Sequence, residues 1–252
     1  MQPVVRALNV LQALSNRPDG MTLQELHLEL GVPLGSMHRI LGVLREQRFV
    51  SRSPIDLRYF LGPAVRDLTE KNVSETGGMQ SLTTVVRELS QATGETVFLT
   101  ELHGSEAICV SLVEGVYPLR LFVRLGQVMP MNAAAAARIL LAYLSPEVAA
   151  ELLGSHGLDE FTPSSPHTVE SVVARFPDIR ERGYDIAANE LDEGVWAVAA
   201  PIFTSTGRVT ASVTLAGSAS RFATADSRDA TIRSVTDAAA RMSTLLGWSP
   251  GV

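Results

Sequence analysis

Residues 22–48, TLQELHLELGVPLGSMHRILGVLREQR, constrain the fold of this chain more than any other part of the sequence. Thr22 and Glu25 match a capping box ahead of an apolar run, which predicts the start of a helix. Gly31 suits the left-handed end of that helix, and Pro33 suits the first turn of a second one. Two short helices around a glycine turn predict a helix-turn-helix unit.

The second helix of this unit has an apolar face and a polar, basic face. Its apolar residues recur at the i, i+3, i+4, i+7 spacing of a buried stripe: Met37, Ile40, Leu41 and Leu44. Polar and basic side chains near the start of such a helix are typical of a reader of the DNA major groove. Together with Thr22, they are the first candidate DNA contacts: Ser36, His38, Arg39 and Arg45.

The flanking segments complete a winged helix. Residues 3–15 place apolar side chains at helical spacing and predict a third helix that covers the pair. After Arg48, two short extended runs surround a turn at residues 53–56, which predicts a β-hairpin. Arg52 and Arg58 flank its tip, where they are candidates for contacts to phosphates. Helix, helix-turn-helix and hairpin in this order predict a winged-helix DNA-binding domain.

The charge of the chain is unevenly distributed. The net charge is −6 over 252 residues, a length that suits one large or two modest domains. Residues 1–73 carry nine basic and seven acidic residues, whereas the remainder carries twelve and twenty. The acidic remainder is therefore not expected to touch DNA, and the small basic excess lies where the winged helix is predicted.

The rest of the chain alternates helical and extended patterns. We predict helices at 82–93, 132–144, 146–153, 169–182 and 225–246, and strands at 96–102, 107–113, 119–124, 195–204 and 209–216. This order predicts an α+β domain with a mainly antiparallel sheet. The expected organisation is a DNA-binding domain at 1–62, a linker helix at 63–75 and a second domain at 76–252.

Neither catalysis nor export is indicated by the sequence. It contains no GxSxG, HExxH, GxGxxG or Walker motif, and its histidines show no metal-ligand spacing. The most apolar stretch, 131–144, is shorter than the ~20 residues that a membrane span needs, and the N-terminus does not resemble a signal peptide. We therefore expect a cytoplasmic protein that is not an enzyme and has no cofactor, metal or membrane partner.

Cys109 is the single cysteine, so an internal disulfide is excluded. It lies in the apolar, strand-like run Ala-Ile-Cys-Val, which favours a buried and inert thiol. An enzyme or a thiol redox sensor that uses Cys109 remains the alternative from a different functional class.

Three sequence blocks resemble the IclR-type bacterial transcriptional regulators. The first runs from RALNVLQAL at residue 6 to RYFLG at residue 62. The second is GQVMPMNAAAAARILLAYL at 126–144, and the third is RGYDIAANELDEGVWAVAAPIF at 182–203 with GRVTASVTLAGSASRF at 207–222. The resemblance implies an N-terminal winged helix, a linker helix and a C-terminal GAF-like α/β domain that binds a small effector. It also implies homodimers, often paired into tetramers, that bind palindromic operators of catabolic operons.

The resemblance also implies where the effector binds. In relatives that respond to small acids, a helix start after a proline presents backbone amides to a carboxylate; here the residues are Ala135 and Ala136, after Pro130. An uncovered helix N-terminus suits an anion, although such alanines can also merely permit close helix–sheet packing. By alignment of the blocks, the remaining pocket positions are Leu121, Met129, Ala187, Val195, Ala197, Thr214 and Ala216.

Three of these positions depart from the small-acid pattern of the family. Ala187, Ala197 and Ala216 stand where that pattern has polar side chains, so only Thr214 retains a hydroxyl. Because an unpaired polar group costs ~1–3 kcal/mol, such walls favour an aromatic or otherwise apolar ligand with one anionic or hydroxyl end. The resulting expectation is a one-component regulator that responds to an organic acid; a regulator of amino-acid metabolism is the alternative.

Overall fold

The computed structural model describes residues 2–17, 19–54, 56–65, 78–117, 123–155 and 157–249. The chain divides into two compact units, Met1–Gly77 and Gly78–Val252. Residues 63–65 are helical, but most of the predicted linker helix lies outside the described residues. The same holds for most of the strand predicted at 119–124.

Up to residue 62, the described part of the first unit contains three helices and a two-stranded antiparallel hairpin. The helices are α1 (Gln2–Ser15), α2 (Leu23–Leu30) and α3 (Leu34–Glu46), and the strands are β1 (Val50–Arg52) and β2 (Tyr59–Leu61). The capping box at Thr22 and Glu25 is present, and Gly31 ends α2 with a φ of +62°. The predicted order of helix, helix-turn-helix and wing is therefore confirmed.

The core of the first unit lies between the three helices and the wing. Val10 and Leu14 of α1, Leu26 of α2 and Met37 and Leu41 of α3 are buried together. The outer face of α1 differs from the expected apolar stripe, because Val4 and Leu8 are 65% and 55% exposed. These two apolar residues therefore do not cover the helix-turn-helix.

Two backbone segments pass very close to each other where α3 connects to the wing. Arg48 adopts the left-handed conformation with a φ of +61°, which is uncommon for a residue other than glycine. A Cβ atom at Gly62 would overlap the carbonyl oxygen of Arg48, so the two backbones can pass each other only because position 62 lacks a side chain.

The second unit is built on a five-stranded antiparallel sheet in the order β4-β3-β7-β6-β5. Its strands are β3 (Thr96–His103), β4 (Glu106–Val113), β5 (Asp185–Ala188), β6 (Val195–Phe203) and β7 (Val209–Ser218). A GAF-like α+β arrangement with a mainly antiparallel sheet was predicted, and the α+β class is confirmed. The short strand β5 was not predicted.

Helices cover both faces of this sheet. One face packs against α4 (Gly78–Thr93) and α9 (Ala225–Leu245). The other packs against α5 (Ala135–Ala142), α6 (Pro146–Ser155), α7 (Val169–Val173) and α8 (Phe176–Arg182). A 3-10 turn, Ala219–Phe222, connects β7 to α9.

Two predicted helices have different bounds in the structure. The helix predicted at 132–144 begins only at Ala135, because the preceding residues form a turn. The helix predicted at 169–182 is broken into α7 and α8, and Pro177 lies in the first turn of α8. Proline has no backbone N–H to donate to the carbonyl oxygen of Val173, four residues earlier, which explains why α7 ends there.

Candidate functional site

The outer face of α3 carries the predicted base contacts. His38, Arg39 and Arg45 are exposed, and Ser36 is half-buried. Within the described part of the chain, neither the Arg39 nor the Arg45 side chain has an ion-pair or hydrogen-bond partner. Both guanidinium groups are therefore available to an anionic ligand approaching this face.

Thr22, at the start of α2, and Arg52, on the wing, differ in how far their side chains are already bound by other groups. The Thr22 hydroxyl accepts a hydrogen bond from the Glu25 amide at 3.2 Å, so it acts first as the N-cap of α2. Arg52 is exposed, and its guanidinium lies 5.3 Å from the centre of the Tyr59 ring. Its planar group is thereby supported from one side. Its Nε donates to the carbonyl oxygen of Leu57 at 3.4 Å, and its terminal nitrogens remain accessible to solvent.

Arg58, the second wing arginine, points inward rather than away from the unit. Its Nη1 donates to the carbonyl oxygen of Gly20 at 2.8 Å. Its two terminal nitrogens also donate to the two carboxylate oxygens of Glu25, at 3.2 and 3.3 Å. The predicted phosphate contact of Arg58 is therefore in competition with partners that this residue already has.

A cavity in the second unit brings the predicted effector residues together. Leu121 lies outside the described residues, but every other predicted position lines this one cavity: Met129, Ala135, Ala136, Ala187, Val195, Ala197, Thr214 and Ala216. The cavity lies between the start of α5 and the face of the sheet that α5 covers. Phe98 and Leu191 add apolar wall that the sequence blocks did not indicate.

The start of α5 supplies unused hydrogen-bond donors to this cavity. Ala134 is the N-cap in an extended conformation, and its methyl side chain makes no capping bond. Among the described residues, the amides of Ala135 and Ala136 have no acceptor. Exposed amides at a helix N-terminus, together with the helix dipole, favour an anionic group at this end of the cavity.

Thr214 supplies a buried hydroxyl without a partner. The residue is 1% exposed, and its Oγ1 has no hydrogen-bond partner within the described part of the chain. The Oγ1 of Thr100, on the neighbouring strand and the same face of the sheet, is unpaired in the same way. Ser212 differs, since its hydroxyl donates to the carbonyl oxygen of Ala136 at 2.8 Å and joins the sheet to α5. A buried hydroxyl that lacks a protein partner is a preferred point of attachment for a polar ligand atom.

A buried network of ion pairs holds the residues that surround the cavity. Arg138 is fully buried; its Nε donates to Asp185 Oδ2 at 2.7 Å, and its Nη1 lies 2.7 Å from Glu190 Oε2. Nη1 also donates to the carbonyl oxygen of Asn132 at 2.7 Å. Arg175 makes a second contact to Glu190 at 2.8 Å, so the acidic residue in the cavity wall is neutralised. Arg138 thereby fixes both the turn before α5 and the segment that closes the cavity.

The cavity is narrow in this structure. Its volume is about 40 Å³, far below the roughly 300–1,000 Å³ of a typical small-molecule pocket. Asp192 is exposed and belongs to the cavity wall, next to Leu191. A ligand as large as an aromatic ring therefore requires the walls to separate.

Cys109 lies on the same face of the sheet as the cavity but is chemically quiet. Burial raises the pKa of its thiol to about 11, and Sγ donates a hydrogen bond to the carbonyl oxygen of Ser111 at 3.6 Å. The thiol is therefore protonated near neutral pH, whereas nucleophilic and redox-active cysteines are thiolates.

The described residues provide neither a metal-binding cluster nor a helix that could span a membrane. No group of three or more histidine, cysteine or acidic residues within them is arranged to hold a metal ion. None of their helices combines the length and apolar character that crossing a membrane requires.

Comparison with known proteins places both units in one family. The family described as "Bacterial transcriptional regulator IclR C-terminal" matches residues 71–244, and the "IclR helix-turn-helix domain" matches residues 3–54. The regulator KipR of Bacillus subtilis is 28% identical over 98% of this chain and 97% of its own.

Two solved structures are similar over almost their whole length. The Thermotoga maritima IclR structure has a TM-score of 0.80 at 24% identity and covers 98% of this chain and all of its own. An IclR homologue from Microbacterium hydrocarbonoxydans, complexed with 4-hydroxybenzoate, has a TM-score of 0.80 at 19% identity, with 98% and 100% covered. The family matches span both units, and the chain is a transcriptional regulator of the IclR family.

Proposed function

We propose that this regulator binds a palindromic operator and controls a catabolic operon in response to an aromatic or otherwise apolar carboxylate. In this proposal, residues 1–62 read DNA, residues 63–75 form the linker helix, and residues 76–252 bind the effector. The observation that carries the proposal is the combination of unused α5 amides and an unpaired Thr214 hydroxyl within apolar walls.

The proposed DNA contacts follow from exposure and charge. Arg39 and Arg45 are proposed to reach base edges or phosphates from α3, with Ser36 and His38 beside them. A bidentate contact from an arginine to guanine discriminates against a wrong base by ~1–3 kcal/mol. Arg52 is proposed to bind a phosphate from the wing, and Thr22 to lie where the start of α2 meets the DNA backbone.

The DNA part is tested with a duplex that the protein itself selects. Full-length protein is first used to select a binding sequence from a random duplex library, and the best duplex then becomes the probe. We expect a sequence with two-fold symmetry, and Arg39→Ala should weaken its binding by about tenfold or more while affecting unselected DNA less. Selection of no sequence, or equal binding by Arg39→Ala, would contradict the DNA-reading proposal.

The proposed effector has two chemically different ends. Its carboxylate would accept hydrogen bonds from the amides of Ala135 and Ala136, where the dipole of α5 also favours negative charge. Its apolar body would lie against Ala187, Ala197 and Ala216. Burial of a phenyl ring contributes several kcal/mol at ~25 cal/mol per Å², which a two- or three-carbon acid cannot match. The related protein that was crystallised with 4-hydroxybenzoate is consistent with a ligand of this class.

The effector part is tested by thermal stabilisation of the full-length protein. Benzoate and 4-hydroxybenzoate should raise the melting temperature at concentrations where pyruvate and glyoxylate do not, because bound ligand stabilises the folded state. Ala197→Phe, which fills the cavity, should abolish this response and leave binding to the selected duplex intact. Ala188→Phe is the matched control, since Ala188 lies on the adjacent strand but is exposed. Stabilisation by the small hydrophilic acids alone would contradict the proposed pocket.

The chain is proposed to form homodimers, or tetramers made of two such dimers, through the apolar face of α1. Val4 and Leu8 are exposed beside a groove that also contains Ile40 and Val43 of α3. Light scattering should give at least twice the 27.1 kDa of one chain at micromolar concentration. Leu8→Glu should lower the measured mass, whereas Leu28→Glu should not, because Leu28 is exposed on α2 outside the groove.

A further inference from the structure

Glu25 lies at the point where the helix-turn-helix meets the wing. Its Oε2 accepts a hydrogen bond from the backbone amide of Thr22 at 2.7 Å, and its own amide donates to the Thr22 hydroxyl. The carboxylate therefore completes the first turn of α2. The amide of Thr22 is the main reason that the pKa of Glu25 is lowered, so the group is ionised at neutral pH.

Arg58, on the wing, binds the same carboxylate. The two terminal nitrogens of Arg58 each donate to one oxygen of Glu25, and Nη1 also donates to the carbonyl oxygen of Gly20. The paired groups are 33 residues apart in sequence. Gly20 and Glu25 lie on either side of the start of α2, so Arg58 joins the wing to this helix end.

We infer that Arg58 supports DNA binding through Glu25, by neutralising and holding this carboxylate beside the start of α2, and not by contacting a phosphate. The inference rests on the proposed DNA-binding role of the first unit. Without Arg58, an ionised carboxylate would remain next to Thr22, where it would repel a DNA backbone approaching the helix. Arg58 is thus a positioning residue, in contrast to the exposed Arg52.

A second attachment of the wing makes the inference testable. Met21 and Tyr59 exchange two backbone hydrogen bonds, of 3.0 and 2.7 Å, and these do not involve either charged side chain. The wing therefore keeps its connection to the residues before α2 when the ion pair is removed. Glutamine also completes a capping box, so Glu25→Gln removes the charge and preserves the cap.

The experiment is a double-mutant cycle with the duplex selected by the wild-type protein. Affinity is measured at several salt concentrations for the wild type, Arg58→Ala, Glu25→Gln and the double variant, which has the same net charge as the wild type. Arg58→Ala should bind about three- to fivefold more weakly, as expected for a partly exposed ion pair. Adding Glu25→Gln should restore most of that loss, and the double variant should have the wild-type salt dependence.

If Arg58 contacted a phosphate directly, the double-mutant cycle would give a different result. Glu25→Gln would then change affinity by the same factor with and without Arg58, and the double variant would lose about 0.9 from the salt-dependence slope. Either result would overturn the inference. Arg52→Ala provides the reference for a lost phosphate contact. Circular-dichroism melting of each variant establishes that it is folded at the assay temperature, and a wild type that selects no duplex would instead contradict the DNA-binding proposal.

Discussion

The two faces of the five-stranded sheet are built from the same strands but from different side chains. Along β7, Val213 and Leu215 point to the face covered by α4 and α9, where they join Trp196 and Ile202 in a large-residue core. Thr214 and Ala216 alternate with them and point to the face covered by α5. The alternation of a strand thus separates a face that stabilises the domain from a face that leaves room for a ligand.

The small-residue face cannot be held together by apolar burial to the same extent. Alanine buries little surface, so each contact between α5 and the sheet contributes less than a contact of leucine or valine. Polar interactions supplement these apolar contacts. Ser212 donates a hydrogen bond to the carbonyl oxygen of Ala136 on α5, and Arg138 forms ion pairs with Asp185 and Glu190. The two faces therefore show that a cavity can be kept in a stable domain by moving part of the stabilising interaction into a buried polar network.

Among the variants that test this comparison, Arg138→Ala is expected to lower the free energy of unfolding most. The substitution removes the fully buried partner of Asp185 and Glu190, which then keep the partly exposed Arg182 and Arg175. The loss should therefore lie toward the lower end of the ~3–5 kcal/mol that breaking a buried pair on one side typically costs. Urea unfolding of the full-length protein measures the loss. Arg241→Ala is the control, since its pair with Glu88 is exposed and should contribute less than about 1 kcal/mol. Equal losses for both variants would mean that the network does not anchor α5.

Adjacent residues of β7 provide a direct test of the two faces. Leu215→Ala should lower the free energy of unfolding by ~2–5 kcal/mol, because it opens a void in the large-residue core. Thr214→Val is of similar shape and removes a hydroxyl that has no partner, so stability should change by less than about 1 kcal/mol. Effector stabilisation should nevertheless be weakened. A Thr214→Val variant that unfolds as readily as Leu215→Ala would show that the hydroxyl is structural.

The smallest effect is expected from Cys109→Ser. The thiol is buried and protonated, and the hydroxyl of serine can donate to the same Ser111 carbonyl oxygen. Operator binding, its response to effector and its behaviour after peroxide treatment should all match the wild type. Loss of the response in this variant alone would favour the thiol-sensor alternative.

The elements with strong local signals were predictable from the sequence. The capping box at Thr22, the glycine at position 31 and the turn at 205–208 between β6 and β7 each have a pattern contained within a few residues. Strand β5 has only four residues, which is too short for alternation to distinguish it from a loop. The break between α7 and α8 had a visible signal in Pro177, which the helical pattern around it outweighed.

The charged contacts were not predictable, because their partners are distant in sequence. Arg138 and Asp185 are 47 residues apart, and Arg58 and Glu25 are 33 apart. No local pattern joins such pairs. One signal was present, however: Arg138 stands within the otherwise apolar helix AAARILLA, and a charge surrounded by buried positions requires a buried partner. The predicted cavity positions came from the family blocks rather than from periodicity.

The alanine walls have a mechanical consequence. Seven of the fifteen described residues around the cavity are alanines, and alanine has no side-chain torsion that can move its methyl group aside. Where these residues form the wall, the cavity cannot open by switching rotamers. Along those walls, a ligand as large as an aromatic ring gains room only when backbone moves, either α5 from the sheet or the segment that contains Glu190. Entry of the ligand and movement of the polypeptide are then the same event, so no separate relay is needed to convert occupancy into displacement.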